Sequence, residues 1–199
     1  MRIVISEFMS LDGVVQAPGG PDEDTDGGFA HGGWSHQFFD PEVVGGAFTG
    51  QLESAEALLF GRRTWSVMAG AWPERAGDPF ADKMNAIKKY VVSNTLTESD
   101  LTWNNTTLIP GAEAVSHLRK LRDAEGGDLL LMGSPTLARA LIGADLADEL
   151  TLVIMPVLLG GGKSIFPADG ALRTLELTST TTSDKGVQVC TYRRAGERS

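Results

Sequence analysis

Two short apolar runs, "EALLFG" at residues 56–61 and "DLLLMG" at 128–133, each end in glycine and pass directly into a helix-like segment, "RRTWSVMAG" and "SPTLARALI". This junction constrains the fold more than any other feature of the chain. Short apolar runs bounded by glycine read as strands buried on both faces, and such strands belong to parallel sheets covered by helices. The alternation extends along most of the sequence. "RIVISEF" (2–8) is a β-branched, alternating first strand, and "IKKYVVSNT" (87–95) and "NTTLIPG" are further strands. Residues 41–54 read as a helix with Pro41 in its first position after an Asp40 cap, weakened by Gly45, Gly46 and Gly50. Residues 112–125 place Ala114, Leu118 and Leu121 at helical spacing and stop at Gly126-Gly127. After "DELTLVIMPVLLG" only strand-like pieces remain, "LRTLELTSTTT" and "VQVCTYRR". The order predicts an α/β fold with a mainly parallel sheet, and the strand-only ending predicts an antiparallel hairpin on its edge. No repeat or linker divides the chain, so residues 1–195 are expected to form one domain, with 16–36 as a lid or insertion loop.

Charge and cysteine content narrow the function. The 199 residues carry a formal net charge of −9 with no Lys/Arg block. Nucleic acid and anionic membranes are therefore poor partners, since both need basic patches. Lys83, Lys88 and Lys89 could attract an anionic substrate, but they read first as a solvated face. Cys190 is the single cysteine, which rules out an intrachain disulfide and a multi-cysteine metal site, and in a late apolar strand it reads as core packing. No window approaches the length of a membrane span, and "MRIVISEFMS" is too short and polar for a signal peptide. A cytoplasmic protein acting on a small molecule is expected.

Four familiar motifs fail. "VLLGGGKSIF" (157–166) imitates a P-loop, but that motif needs a glycine where Val157 stands, and Pro167 makes a following helix awkward. The glycines read instead as a turn after a strand. "DEDTDG" opens like an EF-hand with Asp22, Asp24 and Asp26, yet Gly33 stands in place of the final glutamate, so a solvated acidic loop is expected. His31 and His36 lack the partners of a zinc site, and no G-x-S-x-G elbow exists for nucleophilic hydrolysis. No metal is expected. The strand–glycine–helix junctions are better candidates. Ser134 can cap a helix whose first residue is Pro135, Gly133 allows close backbone approach, and the helix N-terminus favours a phosphate. At "FGRRTW" two arginines start a helix, where the dipole disfavours cations unless an anionic ligand balances them.

Five stretches in order, "SLDGVV", "FGRRTW", "YVVSNTL", "LMGSPTLARALI" and "MPVLLGGGKSIF", give the chain a resemblance to the dihydrofolate reductase-like superfamily, within it to the RibD C-terminal reductase branch. The resemblance implies a three-layer α/β/α fold with a twisted, mostly parallel sheet and a C-terminal antiparallel hairpin, binding NADPH in extended form. Leu11, Asp12 and Gly13 would then lie beside the nicotinamide, near the loop containing Gly161. Gly61, Arg62, Arg63 and Thr64 would meet the phosphates, one arginine reaching the 2′-phosphate. Ser93, Asn94 and Thr95 would border the adenosine half, and Met132, Gly133, Ser134, Pro135 and Thr136 would hold the pyrophosphate. Dihydrofolate reductases commonly follow these helix glycines with an arginine; Pro135 and Thr136 stand there in this chain.

The resemblance implies a reductase that transfers hydride to a pterin- or pyrimidine-type substrate, in the RibD branch a phosphoribosylamino-pyrimidine of riboflavin biosynthesis. Asp40, Asp12 or an ordered water is the expected proton donor. Asp40 is equally well placed as a helix cap. The 16–36 loop, with Phe29 and Trp34, reads either as a lid closing over the site or as a disordered surface excursion. Family precedent makes a homodimer a reasonable expectation. The alternative is a non-catalytic nucleotide-binding or oligomer-forming module of the same fold.

Overall fold

In the computed structural model, which describes residues 1–75 and 77–196, β1 (Arg2–Ser10) lies inside an eight-stranded sheet. The other strands are β2 (Ala55–Gly61), β3 (Lys88–Ser93), β4 (Thr106–Pro110), β5 (Asp128–Met132), β6 (Glu149–Met155), β7 (Leu175–Thr182) and β8 (Gln188–Arg194), in the order β4-β3-β2-β5-β1-β6-β8-β7. β1 to β6 are parallel, and β8 pairs antiparallel with both β6 and β7, giving the expected edge hairpin. The helices are α1 (Gly46–Ser54), α2 (Arg62–Ala71), α3 (Pro79–Ala86), α4 (Ala114–Asp123) and α5 (Pro135–Gly143). Among the described residues no helix is long and apolar enough to cross a membrane.

Strand alternation assigns the two faces of the sheet. Ile3, Ile5, Leu59, Leu129 and Leu131 point to one side and pack with Leu118 of α4 and Leu137 and Leu141 of α5. Val4, Leu58, Phe60 and Leu130 point to the other and pack with Leu52 of α1, Trp65 of α2 and Met84 of α3. Each such side chain contributes roughly 1.5–3 kcal/mol when removed from water, so both helical layers are held by the same strands. The result is the three-layer arrangement.

The helices depart from the sequence reading in two places. The 41–54 segment starts as a π-helical turn over Pro41–Gly45 before becoming α1. The short helix α3 carries too little apolar periodicity to be read from sequence, burying only Ala81 and Met84, and its start is fixed by the Asp78 cap and Pro79.

A correction concerns Lys89. Lys88 is exposed, but the pleat turns Lys89 inward to complete burial. Its Nζ donates to the carbonyls of Asn85, Ile87 and Asn104 and sits 4.5 Å from the centre of the Trp103 ring. Burial lowers its pKa to about 8. The folded state therefore binds fewer protons than the unfolded chain between about 8 and the ordinary 10.5, and stability should rise with pH across that window. Lys89→Met, which strips the carbonyls of their donor, is expected to cost about 1–3 kcal/mol in urea unfolding at neutral pH and to abolish this rise.

Candidate functional site

The chain passes from β1 over the place of β5 to reach β2, and fills the gap later by β4, α4 and β5. At such a switch in strand order the carboxyl ends of the strands open a crevice. A cleft of about 660 Å³ lies there. Its floor is built by the β2–α2 and β5–α5 junctions, which lock into each other. Ser134 takes a left-handed conformation (φ 72°), and its Oγ accepts from the Gly61 amide at 2.7 Å and donates to Thr64 Oγ1 at 2.8 Å. A Cβ on Gly61 would meet Ser134 Oγ at 3.0 Å, and one on Gly133 (φ 73°) would meet Thr64 Cγ2 at 3.1 Å. Each glycine is the space into which the opposite junction fits.

This use of Ser134 revises the expected cap. Ser134 does occupy the residue before α5, but its hydroxyl points across to β2 and makes no cap hydrogen bond. Pro135 has no N–H, so the amides of Thr136 and Leu137 lead the helix dipole into the cleft without a side-chain acceptor. Arg62 and Arg63 enter from α2 on the adjacent wall, followed by Ser93, Asn94 and Thr95. Ser93 Oγ accepts from the Thr95 and Leu96 amides at 3.0 Å and shapes the turn after β3.

The loop after β1 covers this floor and is not a solvated excursion. Arg63 Nη1 lies 2.6 Å from both Asp24 Oδ1 and Asp26 Oδ2, and Lys163 Nζ lies 2.5 Å from Asp24 Oδ2 and 2.7 Å from Asp26 Oδ2. Asp24 and Asp26, expected in a solvated acidic loop, serve instead as a two-cation clamp, with the Asp24 side chain only 9% exposed. Hydrogen bonds from Arg63 and Lys163 hold Asp26 down at about 2. Burial opposes the same shift at Asp24, but Lys163, the Asp26 amide and Arg63 together keep it below its ordinary value. The glycine stretch after β6 is the other half of the clamp. The Lys163 amide donates to Gln16 Oε1, the Val15 amide donates to the Lys163 carbonyl, and a Cβ on Gly162 (φ 141°) would strike Val14 Cγ1 at 2.6 Å. Trp34 Nε1 donates to the Gln16 carbonyl and buries the loop's far end.

This arrangement has relatives. Residues 2–189 match the RibD C-terminal domain. The chain belongs to the RibD C-terminal domain family. The Bacillus subtilis (strain 168) protein YyaP is 28% identical over 196 residues, covering 96% of this chain and 94% of YyaP. A protein assigned to riboflavin biosynthesis from Shewanella sp. PV-4 shares the fold with a TM-score of 0.69 at 19% identity, over 98% of this chain and 99% of that one. A pyrimidine reductase-like protein from Corynebacterium diphtheriae aligns with a TM-score of 0.61 at 14% identity, over 97% of this chain and 91% of the other. Enterococcus faecalis dihydrofolate reductase, complexed with NADP(H), gives 0.61 at 15% identity, over 98% and 96%. These likenesses show the fold that RibD C-terminal domains share with dihydrofolate reductase.

In this RibD C-terminal domain the cleft gathers Gly61, Arg62, Arg63, Thr64, Ser93, Asn94, Thr95, Met132, Gly133, Ser134, Pro135 and Thr136. Leu11, Asp12, Gly13, Asp40 and Gly161 are not among its lining residues. Asp40 caps the 41–45 turn, its Oδ1 accepting from the Glu42 and Val43 amides. Asp12 accepts from Ser10 Oγ at 2.6 Å and from the Gly160 amide at 2.8 Å, which lowers its pKa and ties the glycine stretch to the turn after β1. Leu11 is 65% exposed in that turn, beside Gly13 (φ 82°). A Cβ on Gly161 would meet nothing within 4 Å.

Sequence reasoning passed over Glu7, which lines the cleft from β1 at 3% exposure. The available clue was a carboxylate inside an apolar strand.

Two measurements test the site. Ser134→Ala leaves the Gly61 amide without its acceptor and should lower stability by about 1–3 kcal/mol in chemical unfolding. Asp24 and Asp26 have depressed pKa values, so the clamp's contribution is present above the ordinary 3.8 and lost as pH falls towards about 2. Protection from hydrogen exchange in residues 16–36, relative to unstructured peptide at the same pH, should hold from neutral pH to about 4 and fall below that, and should fall at neutral pH in an Asp24→Asn/Asp26→Asn variant.

Proposed function

We propose that the chain is a cytoplasmic NADPH-dependent reductase, acting on a pterin- or pyrimidine-type heterocycle of the kind used in riboflavin biosynthesis and working as a homodimer. The supporting observation is the interlocked floor of the cleft, which aims the N-terminus of α5 and an uncommitted arginine at one crevice. A pyrophosphate fits the Thr136 and Leu137 amides, where the helix dipole and unshared N–H groups favour an anion. The space left by Gly61 and Gly133 is filled by Ser134 and Thr64, which bring the two junctions close enough to form one continuous binding floor. Arg62 is exposed on the rim and has no ion-pair partner among the described residues, so it is suited to a 2′-phosphate. Arg63 is shared with the clamp and changes partner only when Asp24 and Asp26 withdraw.

The bound cofactor supplies hydride chemistry; the protein supplies orientation and a dry environment. Thr136 and Leu137 fix the pyrophosphate, Ser93 to Thr95 shape the wall for the adenosine half, and the clamped loop keeps water from the floor.

Isothermal titration with NADPH and NADH tests this reading. Wild-type protein should bind NADPH more tightly, and Arg62→Ala should weaken NADPH by roughly 10-fold or more while changing NADH little. Equal weakening of both would refute the 2′-phosphate assignment. NADPH binding without oxidation by any pterin or pyrimidine would instead support a non-catalytic nucleotide-binding module.

A further inference from the structure

Glu7 is placed where the sheet would accept an apolar residue without penalty. It follows Ile3 and Ile5 on the same face of β1, both fully buried in the core. At 3% exposure its Oε1 has no hydrogen-bond partner among the described residues. A buried unpaired carboxyl oxygen is costly, and a ligand in the cleft is the natural partner for it. The cations of the cleft give it no counter-charge. Arg63 and Lys163 are bound to Asp24 and Asp26, and Arg62 stands on the α2 side. The charged group that acts on Glu7 is Glu23, of the same sign, held on the loop by the Gly19 and Gly20 amides. Burial first, and Glu23 second, raise the Glu7 pKa well above its ordinary value.

The position of Glu7 along the cleft decides its role. Ser6 pairs with Met132 in the β1–β5 ladder, so Glu7 stands one residue further, level with the start of the Gly133–Ser134 turn. It is on the side of β5 opposite β2. A dinucleotide with its pyrophosphate at α5 and its adenosine over Arg62 and Ser93–Thr95 must send its other end towards β1.

We propose that Glu7 is the acid of this cleft, giving its proton to the nitrogen of a substrate C=N bond as the carbon of that bond is reduced. The inference rests on the NADPH-reductase reading. In the step, the carbon gains a C–H bond with the electron pair from the reduced nicotinamide, the C=N π pair moves to nitrogen, and nitrogen takes the Glu7 proton. The nicotinamide is oxidised, the C=N bond becomes a single bond, and Glu7 is left as a carboxylate that solvent reprotonates when the loop opens.

Carbon-13 NMR of glutamate-labelled protein with NADPH bound, assigned by the resonance missing in the isosteric Glu7→Gln, should show Glu7 titrating well above the ordinary 4.5. A midpoint in the ordinary range overturns the proposal. NADPH oxidation, with a dihydropterin and with a phosphoribosylaminouracil as probes, should slow as pH rises through that midpoint. Glu7→Gln should be about 100-fold slower and lose this pH limb while its NADPH Kd stays within about twofold of wild type. Glu7→Asp should recover the limb in part. A Glu7→Gln rate and profile like those of wild type overturn the acid role and leave the reductase reading intact. Failure of the wild-type protein to bind NADPH overturns the reductase reading itself. NADPH binding with both probes inert supports the non-catalytic module, and the acid role falls with the reductase reading.

Discussion

The hydroxyl of Ser134 ties together the β2–α2 and β5–α5 junctions at the end of the sheet where the cleft opens. It joins the amide of Gly61 to Thr64, so the end of β2 and the end of β5 are fixed by one side chain. Two glycines make room for that contact, and the backbone of Ser134 takes a conformation that non-glycine residues seldom adopt. The rest of the cleft floor depends on this geometry. The first-turn amides of α5 are uncapped because the hydroxyl is engaged elsewhere, and Arg62 and Arg63 reach the same crevice because α2 starts at the joined position.

Much of this was legible from residue pattern. Strands ended by glycine and followed by helices are visible because burial on both faces demands apolar runs, and glycine marks the close approach that follows. The residues of "FGRRTW", "SNT" and "MGSPT" converge because all three stand at carboxyl ends of neighbouring parallel strands. The left-handed Ser134 was not legible, since a serine before Pro135 normally signals a cap. Lys89 looks solvated in the sequence because Lys88 beside it is solvated and the pleat alone separates them. Glu7 had only its neighbours to betray it.

The clamp shows a different limit. Asp24 and Lys163 are 139 residues apart, and Asp26 and Lys163 137 apart. Composition gives an acidic loop and a glycine-rich loop with no hint that they meet. Their meeting requires β1 and β6 to be adjacent parallel strands, so that the loops leaving both emerge at the same end of the sheet. Val14 packed against Gly162, and Gln16 bonded to Lys163, then bring the opposite charges within reach. A local sequence window cannot contain that information.

The clamp also gives ionic strength two opposing effects on an incoming anion. The chain carries a net charge of −9, so at long range it repels a polyphosphate, and salt weakens that repulsion. Salt also loosens the half-exposed Asp26 contacts that hold Arg63 and Lys163, freeing cations for the ligand. At still higher salt the freed cations are themselves screened. Capture of an anionic ligand should therefore pass through a maximum at intermediate ionic strength, where a bare cationic cleft would show only a monotonic decline.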